Sequence, residues 1–390
     1  MNKTVLYVDQ HNHYGGGQQI CYSVLDHLNK NDWNVVAMYP SGGNILDRVT
    51  FNFRYIPLPS SLSKDGKKSF RDYWLQIKCL PAAARAISAE IEGSACDLIY
   101  TGSPRFLPAV LKSAKKFRLP VIFHFEQLYR NRFWEVYLRH YLAKEYVCRL
   151  IFLSAYCKAW FDQRVGQFKK GIVIDNWLVS PKDNHSKQDR NLFPSSVPKS
   201  VKFAVIGRVL PIKGQETFVK AAIRLCQKNT NTEYYIIGDT AFGSSDYRNG
   251  LMDSVFKSSW KNRIHFIDHI DDVSLAYREV DCVVVPSVWD EPFGLVSIEA
   301  MYFKKALIVS DRGELPNIVG MGKYGHVFRG GDDDDLLSKM ELVLESQSKT
   351  QNKIELARDY VVQKFSEAVQ LPKIYREISN CEQAWNRNLK

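Results

Sequence analysis

Short runs of consecutive apolar residues recur along the chain and alternate with segments of helical character. The first half contains six of them: TVLYVD (4–9), NVVAMYP (34–40), DLIYTG (97–102), PVIFHF (120–125), RLIFLS (149–154) and GIVID (171–175). Their continuous apolar character, without polar alternation, is typical of parallel strands that are covered on both faces. The pattern therefore predicts an α/β protein built on parallel sheets.

The same pattern starts again after a polar, proline-containing stretch at residues 180–200, which has the composition of an interdomain linker. The second set of runs is VKFAVIG (201–207), EYYIIGD (233–239), RIHFID (263–268), DCVVVP (281–286), KALIVS (305–310) and YGHVF (324–328). Two successive βαβ arrays predict two doubly wound, Rossmann-like domains that face a central cleft. The predicted bounds are residues 1–180 for the first domain, 181–200 for the linker, 201–365 for the second domain and 366–390 for a C-terminal helix.

Composition agrees with two soluble domains. The chain has 390 residues, of which 45% are apolar and 24% charged, so disorder, collagen and coiled coil are excluded as the main architecture. The longest aliphatic runs fall far short of the roughly 20 residues that span a bilayer. The eight cysteines form no CxxC pair, which predicts reduced thiols, no zinc site and a cytoplasmic protein.

The net charge of +11 lies entirely in the first half of the chain, most densely between Arg105 and Arg149. Such asymmetry indicates an anionic partner, whether nucleic acid, a phospholipid surface or a phosphorylated substrate; a lysine-rich solvated surface is the alternative. No nucleic-acid-binding module is recognisable, so no nucleic-acid partner is expected. Residues 127–150 predict one long helix, whose basic and aromatic surface, including Arg130, Arg132 and Arg139, could lie on anionic headgroups at the inner face of a membrane. The alternative is that the aromatic residues pack in the core.

The most informative segment is DCVVVPSVWDEPFGLVSIEA (281–300), where a predicted strand is followed by a loop and a helix. Ligands of α/β domains bind outside the carboxyl ends of the strands. Gly294 permits close backbone approach, and the free N–H groups of Gly294, Leu295 and Val296 suit an anion. Glu291 and Glu299 flank this position and suit hydroxyl groups. The alternative is a helix cap at Glu291 and a solvated face at Glu299.

A second segment, AVIGRVLPIKGQE (204–216), places two cations in the loop after a strand. Arg208 offers a bidentate fork and Lys213 a point charge, while Pro211 stiffens the loop between them. Both cations suit a diphosphate whose negative charge grows as it leaves. Two ordinary surface cations are the alternative.

Together these segments resemble glycosyltransferase family 4, whose members are retaining, sugar-nucleotide-dependent enzymes of the GT-B fold. The resemblance rests on GGGQQ (15–19), GRVLPIKG (207–214), YYIIGD (234–239), PSVWDEPFGLVSIEA (286–300) and DRGELPNIV (311–319). It covers the second domain in order from about Val201 to Val319, with the E-x7-E signature at Glu291 and Glu299. The N-terminal match is thinner.

The resemblance implies a role for each matched position. Arg208 and Lys213 hold the donor diphosphate, Glu299 binds the nucleotide ribose, and Glu291 binds the hydroxyls of the donor sugar. The implied donor site is Gly15, Gly16, Gly17, Gly207, Arg208, Lys213, Asp290, Glu291, Phe293, Gly294, Leu295, Val296 and Glu299. His124, on the predicted strand 120–125, contacts the donor sugar through its ring or its backbone carbonyl. The implied catalytic residues are Glu291, His124, Arg208 and Lys213.

The function expected from this resemblance is transfer of a hexose-type sugar, with retention, from a UDP- or GDP-linked donor to a glycan or lipid-linked acceptor in cell-surface polysaccharide or glycolipid assembly. A non-catalytic nucleotide-sugar-binding partner subunit is the alternative. No cofactor and no metal are expected. The acidic run Asp332–Asp335 splays around a helix axis and is predicted to cap a helix rather than to bind an ion.

Overall fold

The computed structural model describes residues 2–12, 15–45, 49, 51–59, 70–129, 131–179, 193–228, 231–240, 245–345 and 347–389. The chain divides into two compact units. Among the described residues, the first unit holds those up to Val179 together with those from Glu367 onward, and the second holds residues 193 to 366. Most of the predicted linker, residues 181–192, lies outside the described residues.

The first unit is built on a seven-stranded parallel sheet. Its strands are β1 (Thr4–Val8), β2 (Asn34–Tyr39), β3 (Arg54–Pro57), β4 (Leu98–Thr101), β5 (Val121–Phe125), β6 (Val147–Phe152) and β7 (Gly171–Val173), in the order β3-β2-β1-β4-β5-β6-β7. Its helices are α1 (Gly16–Lys30), α2 (Phe70–Ser94), α3 (Leu107–Phe117), α4 (Arg132–Leu142) and α5 (Ala155–Arg164). The strands β1, β4 and β5 are buried along their whole length, as their apolar runs predict.

The second unit repeats this design with a six-stranded parallel sheet. Its strands are β8 (Val201–Ile206), β9 (Thr232–Ile237), β10 (Ile264–Ile267), β11 (Cys282–Val285), β12 (Ala306–Ser310) and β13 (His326–Phe328), in the order β10-β9-β8-β11-β12-β13. The helices are α6 (Gln215–Lys228), α7 (Ser245–Phe256), α8 (Val273–Glu279), α9 (Leu295–Tyr302), α10 (Leu315–Ile318), α11 (Asp333–Glu345) and α12 (Gln347–Phe365). The strand order reverses between β8 and β11, the position where doubly wound domains bind ligands.

The last helix, α13 (Glu367–Leu389), belongs to the first unit. Glu382 accepts a bond of 2.6 Å from Lys3 Nζ, just before β1. Glu377 pairs with Arg149 of β6 at 2.8 Å, and Tyr375 packs edge-on against His27 of α1. The first unit is therefore assembled from both ends of the chain.

The prediction of one helix over residues 127–150 is wrong. The helix α4 covers only Arg132–Leu142, because Asn131 caps its N-terminus by accepting from Phe133 N at 2.9 Å and β6 already begins at Val147. Arg132 is exposed, but the Arg139 guanidinium donates to the carbonyl oxygens of Val165 and Arg164. Arg130 lies outside the described residues.

Candidate functional site in the second unit

Two loops meet at the carboxyl edge of the second sheet, beside the reversal of strand order. The loop after β8 contains Gly207, with φ +136°, and a 3₁₀ turn at Pro211–Lys213 that ends at Gly214, with φ +72°. A Cβ at Gly214 would lie 1.8 Å from the carbonyl oxygen of Pro286, in the loop after β11. Val288 N also donates to Ile212 O at 3.0 Å. Glycine at position 214 thus permits the contact that joins the two loops.

The joined loops bring Lys213 and Glu291 together. Lys213 Nζ lies 2.6 Å from Glu291 Oε1, and the Ser287 hydroxyl donates to the same oxygen at 2.5 Å. The Lys213 side chain is 31% exposed and that of Glu291 13%, so the pair is accessible from one side. Charge-assisted hydrogen bonds of this length orient both groups.

The backbone of Glu291 is fixed by the next loop. Glu291 bridges Gly313 in parallel fashion, and Glu314 N donates to Glu291 O at 2.9 Å. Gly313 has φ +65°, and a Cβ there would lie 2.1 Å from Glu291 O. The sequence DRGELPNIV therefore supports the carboxylate from the loop after β12.

Arg208 follows Gly207 directly but makes no such contact. Its side chain is exposed, and within the described part of the chain no carboxylate pairs with its guanidinium. Its backbone carbonyl accepts from the Gln215 side chain at 2.9 Å, which ties the loop to α6. The guanidinium is a free cation at the edge of the sheet that carries Lys213.

The N-terminus of α9 lies beyond Glu291. Gly294 is its N-cap in a left-handed conformation with φ +114°, and the first turn of the helix carries no acidic residue. The Ser297 hydroxyl is buried and has no partner among the described residues. Because the first N–H groups of a helix lack intrahelical acceptors, this terminus favours an anion. Asp290, Leu295 and Val296 are partly exposed beside it.

The side chain of Phe293 is buried and cannot contact a ligand. It is 3% exposed and packs edge-on against Phe365 at 5.5 Å between ring centroids. Its side chain belongs to the core, so only its backbone is available to a ligand.

Glu299 lies on α9, two turns beyond the N-cap. Its Oε2 accepts from the Tyr277 hydroxyl at 2.6 Å, and burial raises the pKa of the carboxyl above its usual value. The side chain is partly accessible. Because a carboxylate can accept several hydrogen bonds, it can accept further ones besides that from Tyr277. Sequence reasoning missed Tyr277, because a tyrosine in the apolar pattern of α8 gives no signal of its own.

The second unit therefore collects, on one edge of its sheet, a carboxylate paired with a lysine, a free arginine, a second carboxylate and the N-terminus of a helix. Cations and helix N–H groups bind phosphates, whereas carboxylates accept hydrogen bonds from hydroxyls. This combination is suited to a ligand that carries both phosphate and sugar groups.

The N-terminal candidates lie in the first unit. Gly15 is the N-cap of α1, and Gly16 and Gly17 form its first turn, which contains no acidic residue. His124 on β5 is fully buried; its Nδ1 lies 2.7 Å from the Tyr100 hydroxyl and its Nε2 has no partner among the described residues. Burial lowers the pKa of His124 to about 4, so the ring is neutral at pH 7.

A cluster of titratable groups beside His124 was not predicted. Cys21 Sγ of α1 donates to Glu126 Oε1 at 2.8 Å, just after β5. Burial and the nearby Asp9 raise the pKa of Glu126 to about 7. Asp9, just after β1, accepts from His11 N and Tyr7 Oη. The only available signal was that Asp9 ends one predicted strand and Glu126 follows another.

Ligand-type atoms of Cys21, His124 and Glu126 lie within 4.8 Å of one another. Within the cluster, the Cys21 thiol is bonded to the Glu126 carboxylate. In the acidic run 332–335, Asp332 accepts from the N–H groups of Asp334 and Asp335 at the start of α11, and Arg224 pairs with Asp333 and Asp334. The capping by Asp332 agrees with the sequence prediction, whereas the ion pairs with Arg224 were not predicted.

Comparisons with known proteins place the second unit among glycosyl transferases. Residues 188–360, which contain the whole site of the second unit, match the family model described as glycosyl transferases group 1. The lipopolysaccharide core biosynthesis mannosyltransferase LpcC of Rhizobium leguminosarum bv. viciae is 30% identical over 130 residues, which is 33% of this chain and 37% of that protein. The lipopolysaccharide 1,2-N-acetylglucosaminetransferase of Salmonella typhimurium is 23% identical over 56% of this chain and 58% of that protein.

Solved structures resemble the chain over almost its full length. Anabaena HepE (Alr3699), solved in complex with UDP and glucose, has a TM-score of 0.79 and 21% identity, and covers 97% of this chain and 100% of its own. Sucrose-phosphate synthase from Thermosynechococcus elongatus has a TM-score of 0.78 and 19% identity, with 97% and 99% covered. The predicted fold class, GT-B with two Rossmann-like domains, is confirmed. The family model and the relatives support the GT-B glycosyltransferase superfamily.

Proposed function

We propose that the protein is a retaining glycosyltransferase that moves a hexose-type sugar from a nucleotide-diphosphate sugar to a glycan or lipid-linked acceptor. The observation that carries the proposal is the contact between Lys213 and Glu291, which puts a cation for phosphate beside a carboxylate for sugar hydroxyls. The match to glycosyl transferases group 1 over these same residues supports it. Relatives named for lipopolysaccharide assembly support a role in cell-surface polysaccharide or glycolipid synthesis.

Each part of the donor has a counterpart in the second unit. The diphosphate binds to Arg208, Lys213 and the N-terminus of α9, where Gly294, Leu295 and Val296 present N–H groups. Glu291, held by Ser287 and the backbone of Glu314, accepts from sugar hydroxyls. Glu299, oriented by Tyr277, accepts from the ribose. HepE has been solved in complex with UDP-glucose, which supports a UDP-linked donor; a GDP-linked donor is the other expectation.

Retention follows from front-side attack, in which the leaving diphosphate takes the proton of the acceptor hydroxyl. A double displacement requires a carboxylate nucleophile beneath the anomeric carbon. Glu291 already accepts hydrogen bonds from Lys213 and Ser287, so its carboxylate suits hydroxyl binding better than nucleophilic attack. Lys213 and Arg208 neutralise the charge that grows on the leaving group, and no metal is required for that step.

The candidate residues of the first unit are its glycine turn and His124. The free N–H groups at Gly15, Gly16 and Gly17 suit phosphate or acceptor oxygens. His124, whose ring is fully buried and neutral, is proposed to contact the donor sugar through that ring or through its backbone carbonyl. Association of this unit with an anionic membrane remains a prediction.

A donor-hydrolysis screen tests the proposal. The full chain is incubated with UDP-, GDP- and ADP-sugars, and release of nucleoside diphosphate is measured together with the anomeric configuration of the freed sugar. Slow hydrolysis of one donor class with retention is expected. Tight nucleotide binding with no hydrolysis and no transfer to any glycan acceptor would instead indicate a non-catalytic binding protein.

A further inference from the structure

A basic groove lies between α2 and α3 of the first unit, away from the glycine turn. Its volume is about 570 Å³, and its lining comprises Pro81, Ala84, Arg85, Ser88, Lys112, Lys115 and Lys116. The helices meet closely on its floor, where the hydroxyl oxygens of Ser88 and Ser113 are 3.0 Å apart and Ser113 donates to Ala84 O at 3.1 Å.

The four cations of the groove have no counter-charge. Arg85, Lys112, Lys115 and Lys116 are exposed, and among the described residues none is paired with a carboxylate. The sequence contains no acidic residue between Asp97 and Glu126, so α3 supplies none. Some other exposed cations of this unit do have carboxylate partners: Arg54 pairs with Glu90 and Arg164 with Glu135. Converging unpaired cations create a local positive potential that attracts polyvalent anions.

The same face of α2 continues into exposed apolar side chains. Trp74 is 49% exposed and Ile77 63% exposed. They precede Pro81 by seven and four positions, so they lie on one helix face with the groove. Lys78 Nζ lies 3.4 Å from the centre of the Trp74 ring. Aromatic and aliphatic residues beside a basic cluster are characteristic of helices that lie in the interface of a bilayer.

We propose that this groove docks the first unit on an anionic phospholipid surface, with headgroup phosphates among the four cations and Trp74 and Ile77 in the headgroup layer. The exposed apolar pair favours a lipid surface over a soluble polyanion, because a soluble ligand would leave both side chains in water. The inference rests on the proposed function only in that a lipid-linked acceptor would be presented at such a surface. In this proposal the helices that face the membrane are α2 and α3, whereas the sequence predicted the helix that contains α4.

Vesicle sedimentation of the full chain tests the proposal. Vesicles of phosphatidylcholine mixed with phosphatidylglycerol are compared with pure phosphatidylcholine at low and high salt. The wild-type protein is expected to sediment with the anionic vesicles and to be released by salt, since exposed charges are screened within roughly 8 Å at physiological ionic strength. Failure to bind anionic vesicles at low salt would overturn the proposal.

Variants then locate the surface. The triple change Lys112→Glu, Lys115→Glu and Lys116→Glu should weaken binding by roughly 100-fold or more, at about tenfold per 1.4 kcal/mol and about 1 kcal/mol per basic residue. The matched control, Lys144→Glu, Lys169→Glu and Lys257→Glu, alters the net charge equally at exposed positions elsewhere. Loss in the first triple alone supports the groove, and equal loss in both overturns it.

Two further measurements separate the other outcomes. Trp74→Ala should lower vesicle binding by roughly tenfold, as expected for loss of a large apolar side chain from an interface. If Trp74→Ala binds normally while inorganic polyphosphate competes with the vesicles, the groove holds a soluble polyanion and the lipid assignment is wrong. Donor hydrolysis, measured on the same samples, should be unchanged in all these variants, so a failed donor assay would count against the proposed function and not against the groove.

Discussion

The Nζ atom of Lys213 lies 2.6 Å from Oε1 of Glu291, although 78 positions separate the two residues. The contact depends on Gly214, whose missing Cβ lets the loop after β8 rest on Pro286. A phosphate that binds Lys213 would therefore do so beside the carboxylate proposed to bind sugar hydroxyls. Lys213→Ala removes the cation and leaves Glu291 a partly buried carboxylate with Ser287 as its side-chain partner.

We expect Lys213→Ala to lower turnover by roughly 10²-fold or more, because the leaving diphosphate loses its counter-charge. Arg208→Ala should weaken binding of nucleoside diphosphate and reduce turnover in the same range. Lys220→Ala is the control, since that lysine is exposed and pairs with Glu216 on the same helix. Steady-state rates and calorimetric titration with UDP and GDP measure both effects. Full activity of both variants would show that the diphosphate site is misplaced.

Substitution of Glu291 and of Glu299 should have different kinetic effects. Glu299→Gln is expected mainly to raise the donor KM, because its contact with ribose is the same in the ground and transition states. Glu291→Gln is expected mainly to lower kcat, because it holds the reacting sugar. Glu279→Gln on α8, which pairs with Lys202 at 3.5 Å, is the control. Equal and mild effects of both changes on binding alone would contradict this division.

Chelation should leave activity intact. In the proposed mechanism, Lys213, Arg208 and the α9 N-terminus would together stabilise the leaving diphosphate electrostatically, as a divalent ion could. The measurement is donor turnover before and after treatment with EDTA and dialysis. Complete loss that Mg²⁺ or Mn²⁺ restores would refute a metal-independent mechanism.

Gly214→Ala should damage the site through the backbone. The residue has φ +72°, and a Cβ would lie 1.8 Å from Pro286 O, so the two loops must move apart. We expect nucleotide affinity to fall by roughly tenfold or more together with a lower Tm. Gly250→Ala is the matched control, because Gly250 lies within α7 with open space around it and alanine should stabilise a helix there by about 1 kcal/mol. Equal behaviour of the two variants would exclude the loop contact as the cause.

Glu126 should make stability depend on pH. Its pKa is raised from 4.5 to about 7 in the folded protein, so the folded state binds the proton more tightly than the unfolded chain. This contribution is fully present below about pH 4.5 and is lost as the pH rises to about 7, by up to about 3 kcal/mol. Glu126→Gln lacks that dependence. As the pH rises through this window, the Tm of the variant should therefore increase relative to the Tm of the wild type. Glu92→Gln, at an exposed position of α2, should run parallel to the wild type, and a parallel Glu126→Gln curve would disprove the assignment.

The sequence predicts the architecture well where apolar runs are long and uninterrupted. Strands such as β1 and β12 are fully buried parallel strands, and the restart of the pattern at Val201 marks the second sheet. The strand β3 was missed because RYIP is short, lies at a sheet edge and begins with an arginine. The helix predicted over 127–150 was too long, because the amphipathic pattern of α4 runs without interruption into the strand VCRLIF.

The site could be predicted only in part. The positions of Arg208, Lys213, Glu291 and Glu299 follow from their place after predicted strands, but the pairing of Lys213 with Glu291 depends on how two loops fold over Gly214. The contact of Cys21 with Glu126 joins residues 105 positions apart, and no local pattern encodes it. Pairings of this kind depend on sheet order, which a list of strands does not determine.

The helix α13 has a consequence for the order of events during synthesis. Lys3 bonds to Glu382, which is translated 379 positions later. Arg149 likewise cannot pair with Glu377 until the second unit, which lies between them in the sequence, has been translated. The second unit can therefore complete its contacts while the first still lacks a helix. The surface of α1 and β6 therefore stays uncovered in the nascent first unit until α13 has been translated, and a chain truncated at Ser366 would leave that surface open.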